Sequence, residues 1–191
     1  MTVAAIRSER AVLADLIPGA LARDAALVVG GAGLTAVAAQ IAIQTPWSPV
    51  PFTLQTLAVL VVGASLGSLR GILSMSLYLL AGMAGAPIYA EHSHGIGGPS
   101  FGYVIGFVVA AGVVGALAKR GADRHVLSTI ALMVAGSVII YLIGTTWLAA
   151  DLNVDAAKAF DLGVRPFLGT DAIKLAVAAL AFPAAWKIAR R

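Results

Sequence analysis

Asp171 and Lys174 are the one oppositely charged pair inside an otherwise apolar span. Three residues apart, they share a helical face, just beyond Pro166-Phe167-Leu168-Gly169-Thr170. A carboxylate accepts hydrogen bonds and an ammonium donates three, so together they could read a ligand carrying both N–H and C=O groups. Ionisable residues at membrane depth point by default to function. The alternative is a structural ion pair at the interface with Lys174 snorkelling outward.

A second constellation is Pro49-Val50-Pro51-Phe52-Thr53-Leu54-Gln55-Thr56. A rigid proline loop beside an amide at a helix start suits a cap over a pocket, with Gln55 addressing a polar ligand. Equally, the prolines could merely start the helix and Gln55 could bond to a neighbouring helix. Small residues recur at four-residue spacing in Ala32-x-x-x-Ala36, Gly63-x-x-x-Gly67-x-x-x-Gly71 and Gly98-x-x-x-Gly102-x-x-x-Gly106. Such stripes let backbones approach closely, either within the chain or at a docking face for another membrane subunit. Glu91-His92-Ser93-His94 has the letters of a metal site but too few ligands, and reads as a solvated loop. No Ser-His-Asp arrangement is visible, and with no cysteine there is no disulfide framework or thiol nucleophile. An enzyme is not expected, nor a cofactor or metal.

The elements that position these groups follow from the scarcity of charge. The 191 residues are 60% hydrophobic and only 12% charged, against about 25% charged in soluble domains, and mean hydropathy is +0.93. A water-soluble fold could not cover its surface with so few charges, so the chain reads as a polytopic membrane protein in a lipid bilayer. The formal net charge of +4 does not indicate nucleic acid, because the basic residues lie in short groups at the ends of apolar blocks.

Residues 25–69, 71–90, 92–118 and 125–150 contain no Asp, Glu, Lys or Arg, and a span needs about 20 residues. Pro46, Pro49 and Pro51 divide the first interval. The expected fold is all-α, with six transmembrane helices near 25–43, 52–68, 71–88, 99–118, 126–149 and 168–188. A short interfacial helix lies in the polar stretch between the last two. Residues 1–24 form a cytoplasmic N-terminal segment and 25–191 one membrane domain. Ala20-Leu21-Ala22 resembles a signal cleavage site, but Asp15 and Pro18 interrupt any continuous apolar region before it.

Basic residues collect in alternate loops: Arg7, Arg10 and Arg23, then Arg70, then Lys119, Arg120 and Arg124, then Lys187, Arg190 and Arg191. Both termini are therefore expected to be cytoplasmic. No phosphate-binding loop of the Gly-x-x-x-x-Gly-Lys-Ser/Thr type is present. Uphill movement of a solute would draw on another subunit or on an ion gradient.

Taken together, several motifs resemble the BioY family. They are the run from Ala32 through Gln40 into Ser48 to Thr56, Gly63-x-x-x-Gly67, Tyr78-Leu79-x-x-Gly82-x-x-Gly85-x-Pro87, and Gly98-Pro99-x-x-Gly102-Tyr103-x-x-Gly106-Phe107. The likeness returns at Gly163-Val164-x-Pro166-Phe167 and Asp171-x-x-Lys174. It departs at Pro99-Ser100-Phe101-Gly102, where the family more often has Pro-Thr-Gly-Gly.

The resemblance implies the biotin-specific S component of an energy-coupling factor (ECF) transporter in the cell membrane. Its partners would be a transmembrane coupling (T) subunit and ABC-type ATPases. It implies Gln55, Tyr89, Tyr103, Asp171 and Lys174 as substrate-binding residues, with Asp171 and Lys174 both touching biotin. Ala32 and Ala36 would form the partner interface. An S component for another vitamin and a stand-alone secondary permease are the rival readings.

Overall fold

The computed structural model describes residues 12–16 and 21–189. Arg7, Arg10, Pro18, Ala20, Arg190 and Arg191, which entered the charge count and the cleavage-site reading, lie outside the described residues. The α-helices are α1 (Leu21–Gln40), α2 (Gln55–Leu66), α3 (Ser68–Met83), α4 (Phe101–Lys119), α5 (Val126–Leu152), the short α6 (Ala156–Gly163) and α7 (Leu168–Ala189). Four stretches are long and apolar enough to cross a membrane: α1, α4, α5 and the run Ala156–Ala189 that contains α6 and α7. Helices α2 and α3 are shorter, with 12 and 16 residues.

The proline-rich segment differs from the expected loop. α1 stops at Gln40, and β1 (Ala42–Thr45) pairs antiparallel with β2 (Ser48–Thr53), aligning Ala42 with Thr53 and Ile43 with Phe52. Prolines read as breakers, but they are tolerated on edge strands, and both strands of a two-stranded ribbon are edges. The Ser48 hydroxyl donates to the Leu162 carbonyl (2.8 Å), which ties the hairpin to α6. As the polar stretch led one to expect, α6 is a short helix; Asp155 caps it by accepting from the Lys158 N–H at 2.7 Å.

Two of the glycine stripes are consumed by packing within the chain. α2 and α3 abut at Gly67, whose φ of +82° suits glycine. A Cβ on Gly63 would stand 2.8 Å from the Ala111 carbonyl oxygen of α4. Gly115 of α4 lies against the Gly67–Ser68 backbone in the same way, and Gly102 and Gly106 face Trp147 and Ile140 of α5. On α1, Ala32 is buried and Ala36 is partly buried against the core.

The end of the bundle opposite the hairpin carries its own polar clasp. Val12 and Ala14 are buried in the core, and Arg70 of α3 pairs with Asp15 (2.8 Å) and Asp24 (3.2 Å). Asp123, which sequence places among ordinary loop charges, is fully buried and accepts from the Trp186 indole N–H at 2.6 Å. Arg124 lies over the Trp186 ring at 5.1 Å. Outward, α5 and α7 expose Val134, Val138, Leu142, Ile173, Val177 and Leu180, the surface a bilayer requires and water would penalise.

Candidate substrate-binding site

A cavity of about 310 Å³ opens at the hairpin end, at the small end of the range for ligand pockets. Its walls come from the hairpin and the start of α2 (Pro49, Pro51, Gln55, Thr56) and from the α3–α4 loop (Tyr89, Glu91, His94, Gly98). The helices α4 and α5 (Phe101, Tyr103, Phe107, Tyr141), with Phe167 and Lys174, complete them. Phe52 stacks on the lining residue Phe167 at 4.4 Å.

At the polar end, Lys174 donates to Asp171 Oδ1 (2.8 Å) and to Thr56 Oγ1 (2.9 Å). An ammonium has three donors, so one remains for a ligand. Asp171 and Lys174 are on one face of α7, as their spacing requires, with side chains 8% and 13% exposed. Their roles separate in space, however. Lys174 lines the cavity and also a small void behind it, whereas Asp171 lines only the void. The second Asp171 oxygen accepts from the Tyr141 hydroxyl at 2.5 Å. Asp171 thus stands behind Lys174 and fixes it.

Gln55 bonds to a neighbouring helix and also faces the cavity. It lines the cavity, and its Nε2 donates to the Tyr78 hydroxyl of α3 at 2.6 Å while Thr53 donates to its Oε1 at 3.1 Å. One amide N–H is left over. Tyr89 and Tyr103 also line the cavity, yet their hydroxyls point away from it in function. Tyr89 donates to the Leu79 carbonyl (2.6 Å) and Tyr103 to the Gly163 carbonyl (2.9 Å). They offer rings, not donors, to a ligand. Tyr89 packs so tightly over Gly82 that any Cβ there would collide with the edge of its ring. Burial raises the Tyr89 phenol above its usual range, keeping it neutral.

Four of the five expected residues, Gln55, Tyr89, Tyr103 and Lys174, therefore meet on one cavity, and Asp171 adjoins it. Sequence reasoning missed Tyr141, which sits in an interval set aside for having no charge. A signal existed: the chain has only four tyrosines, and all four are at the cavity or, in the case of Tyr78, bonded to a residue lining it. Tyr141→Phe removes the donor to Asp171 and leaves a buried carboxylate oxygen short of a partner. The expected cost is about 1–3 kcal/mol, read as a lower melting temperature in detergent; an unchanged melt would show that this bond contributes nothing.

A sequence model of the BioY family matches residues 7–191. The chain belongs to the BioY family. This BioY family member is 40% identical over 162 residues to a protein of Pyrococcus horikoshii named as a probable biotin transporter BioY, covering 83% of this chain and 93% of that one. It is 39% identical over 141 residues to the biotin transporter BioY of Thermotoga maritima, covering 72% and 82%. Its fold is similar to the crystal structure of the S-component for biotin from an ECF-type ABC transporter, with TM-score 0.78 and 20% identity over 87% of this chain and 92% of that one. The resemblance carried by the Pro-Val-Pro-Phe-Thr and Asp171-x-x-Lys174 motifs is thus borne out at the level of family and fold.

Proposed function

We propose that this chain is the biotin-binding S component of an ECF-type uptake transporter in the cell membrane. The observation that carries the reading is the Lys174 ammonium, charge-balanced by Asp171 at 2.8 Å and facing a cavity walled by aromatic rings. A balanced pair suits a neutral polar head group better than a second charge. The ureido ring of biotin presents one carbonyl acceptor and two N–H donors. Lys174 donates to the carbonyl, the spare Gln55 N–H adds a second donor, and Tyr89, Tyr103 and Phe107 enclose the apolar thiophane ring. Asp171 acts through Lys174, and reaches the ureido N–H groups only where Lys174 moves aside.

Six crossings, by α1 to α5 and α7, place both termini in the cytoplasm. Support comes from charge: Arg70, Lys119, Arg120, Arg124 and Lys187 stand at the end of the bundle away from the cavity, so the positive-inside rule puts the cavity outside. Biotin is captured there and released unchanged. The chain supplies no phosphate-binding loop, so a T subunit and ABC-type ATPases drive the reorientation, selecting between states of different affinity. The T subunit docks along α1 at the edge bearing Ala36, which Ala32 supports from within.

Isothermal titration of the purified protein against biotin, thiamine and riboflavin decides the ligand. One biotin bound per chain, with no heat from the other two, is expected; binding of thiamine or riboflavin instead would overturn it. Biotin uptake in cells should require the ATPase subunits. Uptake that persists without them and collapses with an ionophore would mark a stand-alone permease.

A further inference from the structure

The segment Ile88 to His92 contains two consecutive non-glycine residues in the left-handed region, Glu91 at φ +57° and His92 at φ +59°. L-residues adopt this conformation at a cost, and adjacent pairs persist only where surrounding contacts impose them. The turn closes on itself through the Tyr89 N–H to the Ser93 carbonyl (3.1 Å) and the Ser93 N–H and hydroxyl to the Ala90 carbonyl (3.1 and 2.7 Å), and one side chain ties it to α1. Gln40, the last residue of α1, sends Nε2 to the Ile88 carbonyl (3.4 Å) and the Tyr89 carbonyl (3.1 Å), and its Oε1 accepts from the His92 N–H at 3.1 Å. The same Nε2 also lies 3.2 Å from the Ala36 carbonyl of its own helix, so its two N–H groups are shared among three carbonyls. One amide therefore grips both flanks of the strained turn.

The turn matters because Tyr89 is a wall of the cavity. The Ile88 carbonyl held by Gln40 also accepts from Tyr78 at 3.0 Å, and Tyr78 in turn accepts from Gln55, another cavity residue. A continuous chain of hydrogen bonds thus runs from the end of α1, through the turn, to the ligand wall. Gln44 of β1 adds a second tie by donating to Glu91.

We infer that Gln40 is a positioning residue: it latches the Ile88–His92 turn in its strained form, holds Tyr89 over the cavity, and so sets how long a bound ligand stays. The ligand half of this inference rests on the biotin reading; the latch itself does not. A shift of the α1 end relative to α3 breaks the latch and frees the turn without any change in the ligand.

The decisive experiment compares full-length wild type with Gln40→Leu and Gln40→Glu, all in detergent. Hydrogen exchange of peptides covering residues 88–93 should accelerate at least tenfold in Gln40→Leu, while α4 and α5 peptides are unchanged. Biotin dissociation should accelerate by a similar factor, with a smaller change in association rate. Gln40→Glu keeps the acceptor for His92 and loses the donors, and should fall between. Adding His92→Gly to Gln40→Leu should restore part of the protection, because glycine adopts the left-handed conformation without strain. Unchanged exchange at 88–93, or loss of protection throughout the molecule in both single variants, overturns the latch. Should wild type bind no biotin, the functional reading fails, and the exchange comparison still decides the latch.

Discussion

Lys174→Met is expected to weaken biotin binding by about 10- to 100-fold, corresponding to the roughly 1.5–3 kcal/mol of a hydrogen bond made by a charged group. The methionine keeps most of the stem volume and removes the donors. The same change leaves Asp171 buried with Tyr141 as its remaining hydrogen-bond partner. Stripping one member from a buried pair costs about 3–5 kcal/mol of stability, so Lys174→Met should also melt well below wild type. The two effects separate in Lys174→Met combined with Asp171→Asn. Removing the stranded charge should recover most of the melting temperature, whereas biotin affinity should stay low because the donor facing the cavity is still missing. Titration and thermal unfolding of the two variants check this; recovery of affinity in the double variant would show that Lys174 does not touch biotin.

Gly115→Val is expected to destabilise the protein by about 3 kcal/mol or more, at or beyond the upper end for overpacking. A Cβ on Gly115 meets the backbone of Gly67 and Ser68 and would lie 2.8 Å from the Gly63 carbonyl oxygen. Backbone cannot swing aside as a long side chain can, so α4 must separate from the α2–α3 junction. Gly33→Val is the control. That glycine lies on the exposed face of α1 with nothing within 4 Å of its would-be Cβ, and its replacement should change stability by about 0.5 kcal/mol or less. Size-exclusion profiles and melts of the two variants in the same detergent give the comparison, and equal melts would refute the close approach at Gly115.

Much of the site was legible because charge is costly at membrane depth. Asp171 and Lys174 stood out as charges within a span, and Gln55 and Tyr103 stood in motifs shared with a family. What could not be read was the direction in which each group is used. Tyr103 and Tyr89 stand as substrate-binding residues by resemblance, and only the structure shows that backbone carbonyls of Gly163 and Leu79 accept from their hydroxyls. Spacing sets Asp171 beside Lys174, yet Tyr141, 30 residues earlier, also bonds to it. Hydrogen bonds between helices depend on how each helix is rotated about its axis, and spacing along one helix says nothing of that rotation.

The sequence by itself determined the solvent, the approximate helical stretches, the polar pair of α7 and the family. Each depends on composition or on spacing within one segment, where the physics is local: the cost of a charge in lipid, the reach of an i,i+3 pair, the break a proline imposes. Only the tertiary structure decided that the proline segment is a hairpin, that two glycine stripes serve internal packing, that Asp123 is buried, and that Tyr141 completes the site. In a soluble protein, polar and apolar faces announce which side of a helix is inside. Here α5 buries Leu132 and Ile140 while exposing Val134, Val138 and Leu142, residues of one chemical kind on both faces. Lipid is as apolar as the core, so inside and outside are distinguished by shape alone, and shape exists only once the helices have met.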